Sequence, residues 1–562
     1  MAYSLGVDYG TESGRVVLLD LSSGKELAVH VVPYRHRVID KTLPDSITEL
    51  PADWALQHPQ DYLEVLQKGI PAVLAHAHVS GTDVIGLGID FTSCTVLPTL
   101  QDGTPLCMTD EFKDRPHAWP KLWKHHSAQR FADRMNDVAQ QRNESFLPRY
   151  GGRISAEWYF PKLLEIFDED REVYAAISSF VEATDWVIWQ LTGQLRRNSC
   201  TAGYKAMRAD DGLFPDPSYF QTVHEGFSPP QSLLGRDFYS VGTKAGTLSE
   251  NWAMLLGLNV DVAVAVGNVD AHVSVAGAGI DRPGSLVMVI GTSICHLAIS
   301  SKQEFVDGMT GVVFDGVLPG YYGYEAGQAA VGDMLAWFVE HALPSDYNER
   351  ARQSNRTIFE VLEEEATSLR PGETGLIVLD WLNGNRSVLG DANLTGVIVG
   401  LDLSTKPHEI YRALLESIAF GTRRILENFE AKGIYFNELV ACGGLSYKSP
   451  LLMQLYADVC GLPVTVRASN EVPARGAALF GAVAAGAKQG GYDKIEDAVK
   501  ELAPPISKIY TPDIEALKHY HTQYRIYHEL YQYFGKDHSD LMHELKQFRQ
   551  NARSVRGAMS YA

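Results

Sequence analysis

The chain has 562 residues, 45% of them hydrophobic and 21% charged, with a formal net charge of -20. That length exceeds what one hydrophobic core serves, so two large domains are expected, in a composition ordinary for a globular protein. The acidic balance excludes a sequence-independent DNA or RNA binder, which needs clustered cations to displace counterions, but leaves room for an anionic small ligand held by a few local donors.

Taken in order, residues 1 to about 30 predict a β-meander. Its first turn, Asp8-Tyr9-Gly10-Thr11-Glu12-Ser13-Gly14-Arg15, lies between the apolar runs Tyr3–Val7 and Val16–Leu19. Gly10 lets the backbone bend and approach a ligand. Thr11 and Ser13 add hydroxyls, Arg15 a cationic fork and Asp8 a carboxylate, the groups wanted by a phosphate chain and the hard metal ion that travels with it. An ordinary hairpin with a polar turn would look the same. Asp40–Asp53 is expected to be a loop and Pro59–Ala77 a helix. A buried strand, Val84–Asp90, then ends in the small polar turn Phe91–Thr95, as a ligand-contacting loop does at the carboxyl end of a strand in an open α/β sheet.

His125-His126 is assigned to a solvated helix face, because neighbours on a helix do not converge on one metal. Residues Asn198–Lys205 are expected to be a loop. Val262–Gly267 is a β-branched strand that delivers Asp270 just beyond its end, where an Asp commonly caps a helix. The opening pattern then returns: strand Leu286–Ile290, turn Gly291-Thr292-Ser293, strand His296–Ile299. Gly291 follows Gly10 by 281 residues, half the chain length, which suggests two domains of like topology.

Tyr324–Gln328 precedes a helix, Trp381–Arg386 is a loop, and Pro407–Lys432 is a long helix. Val440–Ser446 runs from a strand through Gly443-Gly444 into a helix, where backbone N–H groups and a flat ring can come close. Gly476–Ala487 is a packed helix of small residues. In the helical segment 513–550, Tyr520, Tyr524, Tyr527 and Tyr531 form a docking face. The last dozen residues are expected to fray. The six cysteines have no CxxC pairing and suit buried free thiols in a reducing compartment. With no basic and apolar leader and no run of membrane-spanning length, a cytoplasmic protein is expected.

There is no GxxxxGK[ST], GxSxG or HExxH element. Two Gly-Thr hairpins, a Gly-Gly turn and an Asp at a strand end are nevertheless enough for phosphoryl transfer. That reaction wants donors and a divalent ion around the phosphates, a hydroxyl held in line, and a carboxylate to take its proton.

Asp8–Arg15 resembles DxGTxSxR, the first phosphate motif of the FGGY carbohydrate kinases within the actin-like ATPase superfamily. Gly396–Leu401, followed by Glu409-Ile410 and Ala413–Glu416, is similar to that family's second signature. Gly291-Thr292 resembles its second phosphate motif and Gly443–Ser446 its adenosine motif. The likeness spans nearly the whole chain. It implies an α/β fold of two actin-like ATPase (ribonuclease H-like) domains around a central cleft. Residues 1–281 would be the sugar side, and 282–562 the nucleotide side with a helical extension over about 507–550. Asp90–Thr95, Gly203–Met207 and Gly267–His272 resemble the branch of the family that phosphorylates L-ribulose.

The resemblance therefore implies ATP-dependent phosphorylation of a ketopentose, L-ribulose to L-ribulose 5-phosphate in L-arabinose catabolism, with Mg2+. It makes Asp270 the general base and puts Ser93, Lys205 and Glu325 around the sugar. Asp8 would hold the magnesium ion. Thr11, Arg15 and Thr292 would contact phosphates, with Ser13 and Gly291 in the same turns, and Gly443 and Gly444 would pass the adenosine. Two departures stand out. The first signature expects a Lys followed closely by Trp, and Trp158–Glu165, with Lys162, lacks that Trp. Glycerol kinases carry Arg-Glu where Ser93-Cys94 stand here. D-ribulose or D-xylulose as the sugar, and an actin- or chaperone-like nucleotide-gated binding protein, remain alternatives, and a homodimer is left open. The expected partners are a sugar and ATP, with neither nucleic acid nor membrane. The cleft is expected to close, because it must keep water from the phosphoryl group.

Overall fold

The computed structural model describes residues 2–44 and 46–560. The meander forms as expected: β1 (Tyr3–Tyr9), β2 (Ser13–Asp20) and β3 (Glu26–Pro33). The helix α1 (Pro59–Ala77) leads to β4 (Val84–Phe91), which pairs parallel with β1. The first sheet runs β3-β2-β1-β4 and continues through Ala263–Ala265 to Lys244–Thr247. The second repeats that order: Tyr322–Gln328, Ile294–Ser300, Ser285–Ile290, then Glu438–Cys442 parallel to the last. Val464–Arg467 and Ile506–Tyr510 extend it at one edge and Gly311–Phe314 at the other. The two Gly-Thr hairpins thus occupy equivalent places in two sheets of like topology.

The first sheet meets the second half of the chain in a backbone-to-backbone contact. Helix Val472–Ala485, from the second half of the chain, lies flat on the first sheet. A Cβ on Gly6 or Gly88 would fall 1.8 Å from the carbonyl oxygen of Ala474 or Ala477, so only glycine fits. On its other side the same helix meets Asp270–Gly277, where a Cβ on Gly277 would fall 2.0 Å from the Val472 carbonyl oxygen. The small-residue composition of these segments is what lets them approach so closely.

The tyrosine face docks as expected. Tyr520, Tyr527 and Tyr531 are at most 1% exposed and Tyr524 is 5%, with the Phe420 ring 5.3–6.2 Å from the first three rings of the stripe. Such ring pairs are worth about 0.5–1.5 kcal/mol beyond burial. Four of the cysteines are buried and all six are free, matching the thiol reading. No helix among the described residues is long and apolar enough to cross a membrane.

Three expectations are corrected. Ser199–Lys205 is a helix, not a loop: the Asn198 side chain accepts from the Thr201 N–H at 2.7 Å while Asp185 grips Asn198 at 2.8 Å. His125 does not face solvent on a helix. It is fully buried in a turn, 2.9 Å from Glu165, which Lys121 also meets at 2.9 Å; only His126 is half-exposed. Residues 551–560, expected to fray, continue the helix Ser539–Ser560, and 561–562 lie outside the described residues.

Candidate active site

Strand register assembles the first wall. Leu5-Gly6-Val7-Asp8-Tyr9 pairs residue by residue with Leu87-Gly88-Ile89-Asp90-Phe91, so Asp8 and Asp90 stand side by side at the carboxyl ends of β1 and β4. Asn268 pairs with Asp90 on the far side, and Asp270 opens the next helix. Across the hairpin Arg15 pairs with Asp8, its Nη1 donating to Asp8 Oδ2 at 3.2 Å while its Nε lies 3.5 Å from Glu471. Gly10 N–H donates to the Ser13 carbonyl at 3.0 Å, closing the turn that carries Thr11 and Ser13. The Thr11 hydroxyl accepts from the Trp123 indole at 3.1 Å.

The second wall has the same construction. Gly291 N–H donates to the Ser293 carbonyl at 2.9 Å, and Gly291 and Thr292 are exposed at the tip of the hairpin. Val289 pairs with Cys442, which brings Gly443 beside the end of the neighbouring strand. The two glycines differ in kind. Gly443 has φ of +90° and a Cβ there would sit 2.4 Å from the Ile290 carbonyl oxygen, whereas a Cβ on Gly444 would meet nothing within 4 Å. Gly443 makes the turn, and Gly444 leaves open space beside it.

Between the walls lies a charged cluster drawn from both sheets. Lys205, at the end of the short helix after Asn198, donates to both Glu325 oxygens at 3.0 Å; Glu325 comes from a strand of the second sheet. Burial works against both charges, but each outweighs it for the other, so Lys205 is held up and Glu325 well down in pKa. Asp270 faces the opposite balance: desolvation, then the charges of Asp8 and Glu325, push it up to about 7 despite the Ala271 N–H and Lys205. A carboxyl poised there can take a proton near neutral pH. Burial raises Asp90 well above the usual carboxylate range, and its neighbours Asp8 and Asp270 add to that. Ser93 Oγ, in the loop after β4, has no hydrogen-bond partner among the described residues; its neighbour Cys94 is held through its carbonyl by Lys162 Nζ at 2.6 Å.

Three acidic or basic residues of this cluster lie outside the sequence-derived set. Asp90 had a usable signal, the repeat of Leu-Gly-(Val/Ile)-Asp-(Tyr/Phe). Glu157, 3.2 Å from His126, has no such repeat: burial raises its pKa, but His126, Arg386 and Lys205 bring it down to about 2. Arg386, in the Trp381–Arg386 loop, reaches Glu157 and Glu325 electrostatically from the second half of the chain.

Comparison with known proteins bears directly on this arrangement. The N-terminal domain of the FGGY family of carbohydrate kinases matches residues 3–277, and its C-terminal domain matches 286–485. The chain belongs to this family. It is an ATP-dependent sugar kinase, which sets aside the nucleotide-gated binding alternative. It is 50% identical over 559 residues to a protein named ribulokinase from Anoxybacillus flavithermus, covering 99% of each chain. It is 46% identical over 552 residues to one so named from Mycolicibacterium smegmatis, covering 98% of this chain and 97% of the other. Among solved FGGY-like folds, the xylulose kinase from Rhodospirillum rubrum superposes with a TM-score of 0.77 at 20% identity, over 96% of this chain and all of the other. The gluconate kinase from Lactobacillus acidophilus gives 0.78 at 17%, over 96% and 99%. The fold is therefore the two-domain actin-like ATPase fold of the FGGY sugar kinases.

Proposed function

We propose that this kinase transfers the γ-phosphoryl group of ATP to O5 of L-ribulose, as in L-arabinose catabolism. The observation that carries the chemistry is Asp270, poised near neutrality between the Asp8 wall and the Lys205–Glu325 pair. The choice of sugar rests on the near full-length relatives named ribulokinase. Asp270 would accept the proton of the O5 hydroxyl as that oxygen bonds to the γ-phosphorus and the bond to the β-phosphate oxygen breaks, releasing ADP. Lys205, Glu325 and Ser93 would orient the sugar hydroxyls. Thr11, Ser13 and Arg15 on one hairpin, and Gly291 and Thr292 on the other, would hold the phosphates, with adenosine against Gly443 and Gly444.

The oxygen donors at the end of β1 suit Mg2+, which binds through one or two carboxylates and the substrate phosphates rather than a closed protein cage. Asp8 would hold it, and bound there it would neutralise charge developing on the phosphates. Residues 1–281 and 282–562 would act as the two lobes whose closure excludes water. Buried free thiols fit a cytoplasmic setting.

A panel of L-ribulose, D-ribulose, D-xylulose and glycerol, compared by kcat/KM with coupled ADP detection, tests the substrate. L-Ribulose should lead and glycerol should trail. A higher kcat/KM for D-ribulose or D-xylulose would overturn the sugar assignment.

A further inference from the structure

The Lys205–Glu325 pair is the inner end of a longer hydrogen-bonded chain. Cys200 Sγ lies 3.0 Å from His272 Nδ1, and His272 Nε2 lies 3.1 Å from Glu325 Oε2, which Lys205 also meets at 3.0 Å. Cys200 and His272 are fully buried. We propose that His272, oriented by Cys200, is a positioning residue that presents the Glu325 carboxylate and Lys205 to the sugar. The inference rests on the reading of Lys205 and Glu325 as sugar-binding residues.

The donor count fixes the direction of the chain. A carboxylate only accepts, so the hydrogen between His272 and Glu325 belongs to Nε2. Burial lowers the basicity of the imidazole, so Nδ1 carries no proton and accepts the Cys200 S–H. Burial likewise keeps that thiol protonated. The ring cannot easily swing away. Tyr204 packs against it with centroids 4.4 Å apart, and Tyr204 is itself wedged where a Cβ on Gly311, Gly316 or Gly323 would fall 2.3–2.6 Å from its side chain.

The valence left over is what a sugar would use. Oε2 is shared by His272 and Lys205, while Oε1 takes only Lys205. Lys205 has three protons and spends two here. One acceptor site on Oε1 and one N–H on Lys205 therefore remain side by side, complementary to a hydroxyl that donates to one and accepts from the other. Without the Nε2–H, Glu325 is held by Lys205 alone, Oε1 and Oε2 become equivalent, and the donor that fixes which oxygen is left for the sugar is lost. The chain also ties together the Ser199–Lys205 helix, the helix that begins at Asp270, and a strand of the second sheet, so sugar-side geometry is set across both halves.

His272→Leu and His272→Gln test this, with Cys200→Ala and Cys200→Ser beside them. A hydrogen bond to a charged group corresponds to roughly a tenfold or greater effect. His272→Leu should therefore raise the sugar KM about tenfold or more and leave the ATP KM unchanged, and His272→Gln, whose amide can still donate to Glu325, should recover most of the loss. Imidazole 15N spectra should show the Nε2–H tautomer in the unsubstituted protein, in Cys200→Ser and in Cys200→Ala, because Glu325 still requires that proton. The Nδ1 resonance should be displaced in Cys200→Ala, where this nitrogen has lost its S–H donor. An Nδ1–H tautomer in the unsubstituted protein overturns the inference, and this readout stands even if the His272 variants fail to fold. Glu325→Gln separates the two levels of the argument. If it raises the sugar KM and His272→Leu does not, the positioning role alone is wrong. If Glu325→Gln leaves the sugar KM unchanged, the sugar-site reading falls, and this inference with it.

Discussion

Replacing Asp270 with asparagine is expected to lower kcat by about 10²–10⁴-fold, the usual contribution of a positioned general base. The amide keeps the shape of the side chain and can still accept from the Ala271 N–H, which meets Asp270 Oδ1 at 2.6 Å, but it cannot take a proton from the sugar hydroxyl. Asparagine also removes a negative charge near Asp8 and Asp90, so a shift in ATP KM through the metal should accompany the loss. Asp270→Ala distinguishes the two effects from a change of hydrogen bonding. If a normally folded Asp270→Ala enzyme kept more than a few per cent of kcat in the coupled ADP assay, Asp270 would not be the base.

Lys205→Met should be the most damaging substitution on the sugar side. It leaves the buried Glu325 hydrogen-bonded to the neutral His272 alone, with Arg386 acting on it only electrostatically, and breaking a buried pair in this way typically costs about 3–5 kcal/mol. Both side chains are almost fully enclosed, so solvent does little to soften the loss. Urea denaturation should show the loss, together with a sugar KM raised by more than tenfold. Adding Glu325→Gln to Lys205→Met should recover much of the stability and none of the sugar binding, because the uncompensated charge is gone while the proposed sugar ligands are not restored. A double variant no more stable than the single one would mean that the pair is not what holds the two sheets together here.

The parts of this architecture that were legible in the sequence are those written in local backbone chemistry. At Gly10-Thr11 the Gly-Thr between two apolar runs is a hairpin, and its recurrence at Gly291-Thr292 carried the two-sheet topology. The Gly443-Gly444 turn and the spacing of Tyr520, Tyr524, Tyr527 and Tyr531 were equally local. What escaped depends on partners distant in the chain. His125 reads as a surface residue until Lys121 and Glu165 bury it. Ser199–Lys205 is too short for helical periodicity to show, and forms because Asp185 holds its cap. Glu157 and Arg386 come within electrostatic reach of each other only once the two halves of the chain come together. Asp90 is the instructive case. Its pentapeptide repeats that of Asp8, for the physical reason that both glycines must admit the same helix backbone.

The pH dependence of kcat/KM for the sugar tests the central claim most directly, since this quantity reports ionisations of the free enzyme. A base that must be deprotonated to act loses activity as it is protonated. With Asp270 at about 7, kcat/KM should fall roughly tenfold per pH unit below that value and level off above it. In Asp270→Asn the residual activity should lose this acid limb. An acid limb that persists unchanged in Asp270→Asn, or one centred at the ordinary carboxylate value in the unsubstituted enzyme, would contradict the assignment of a neutral-range base at Asp270.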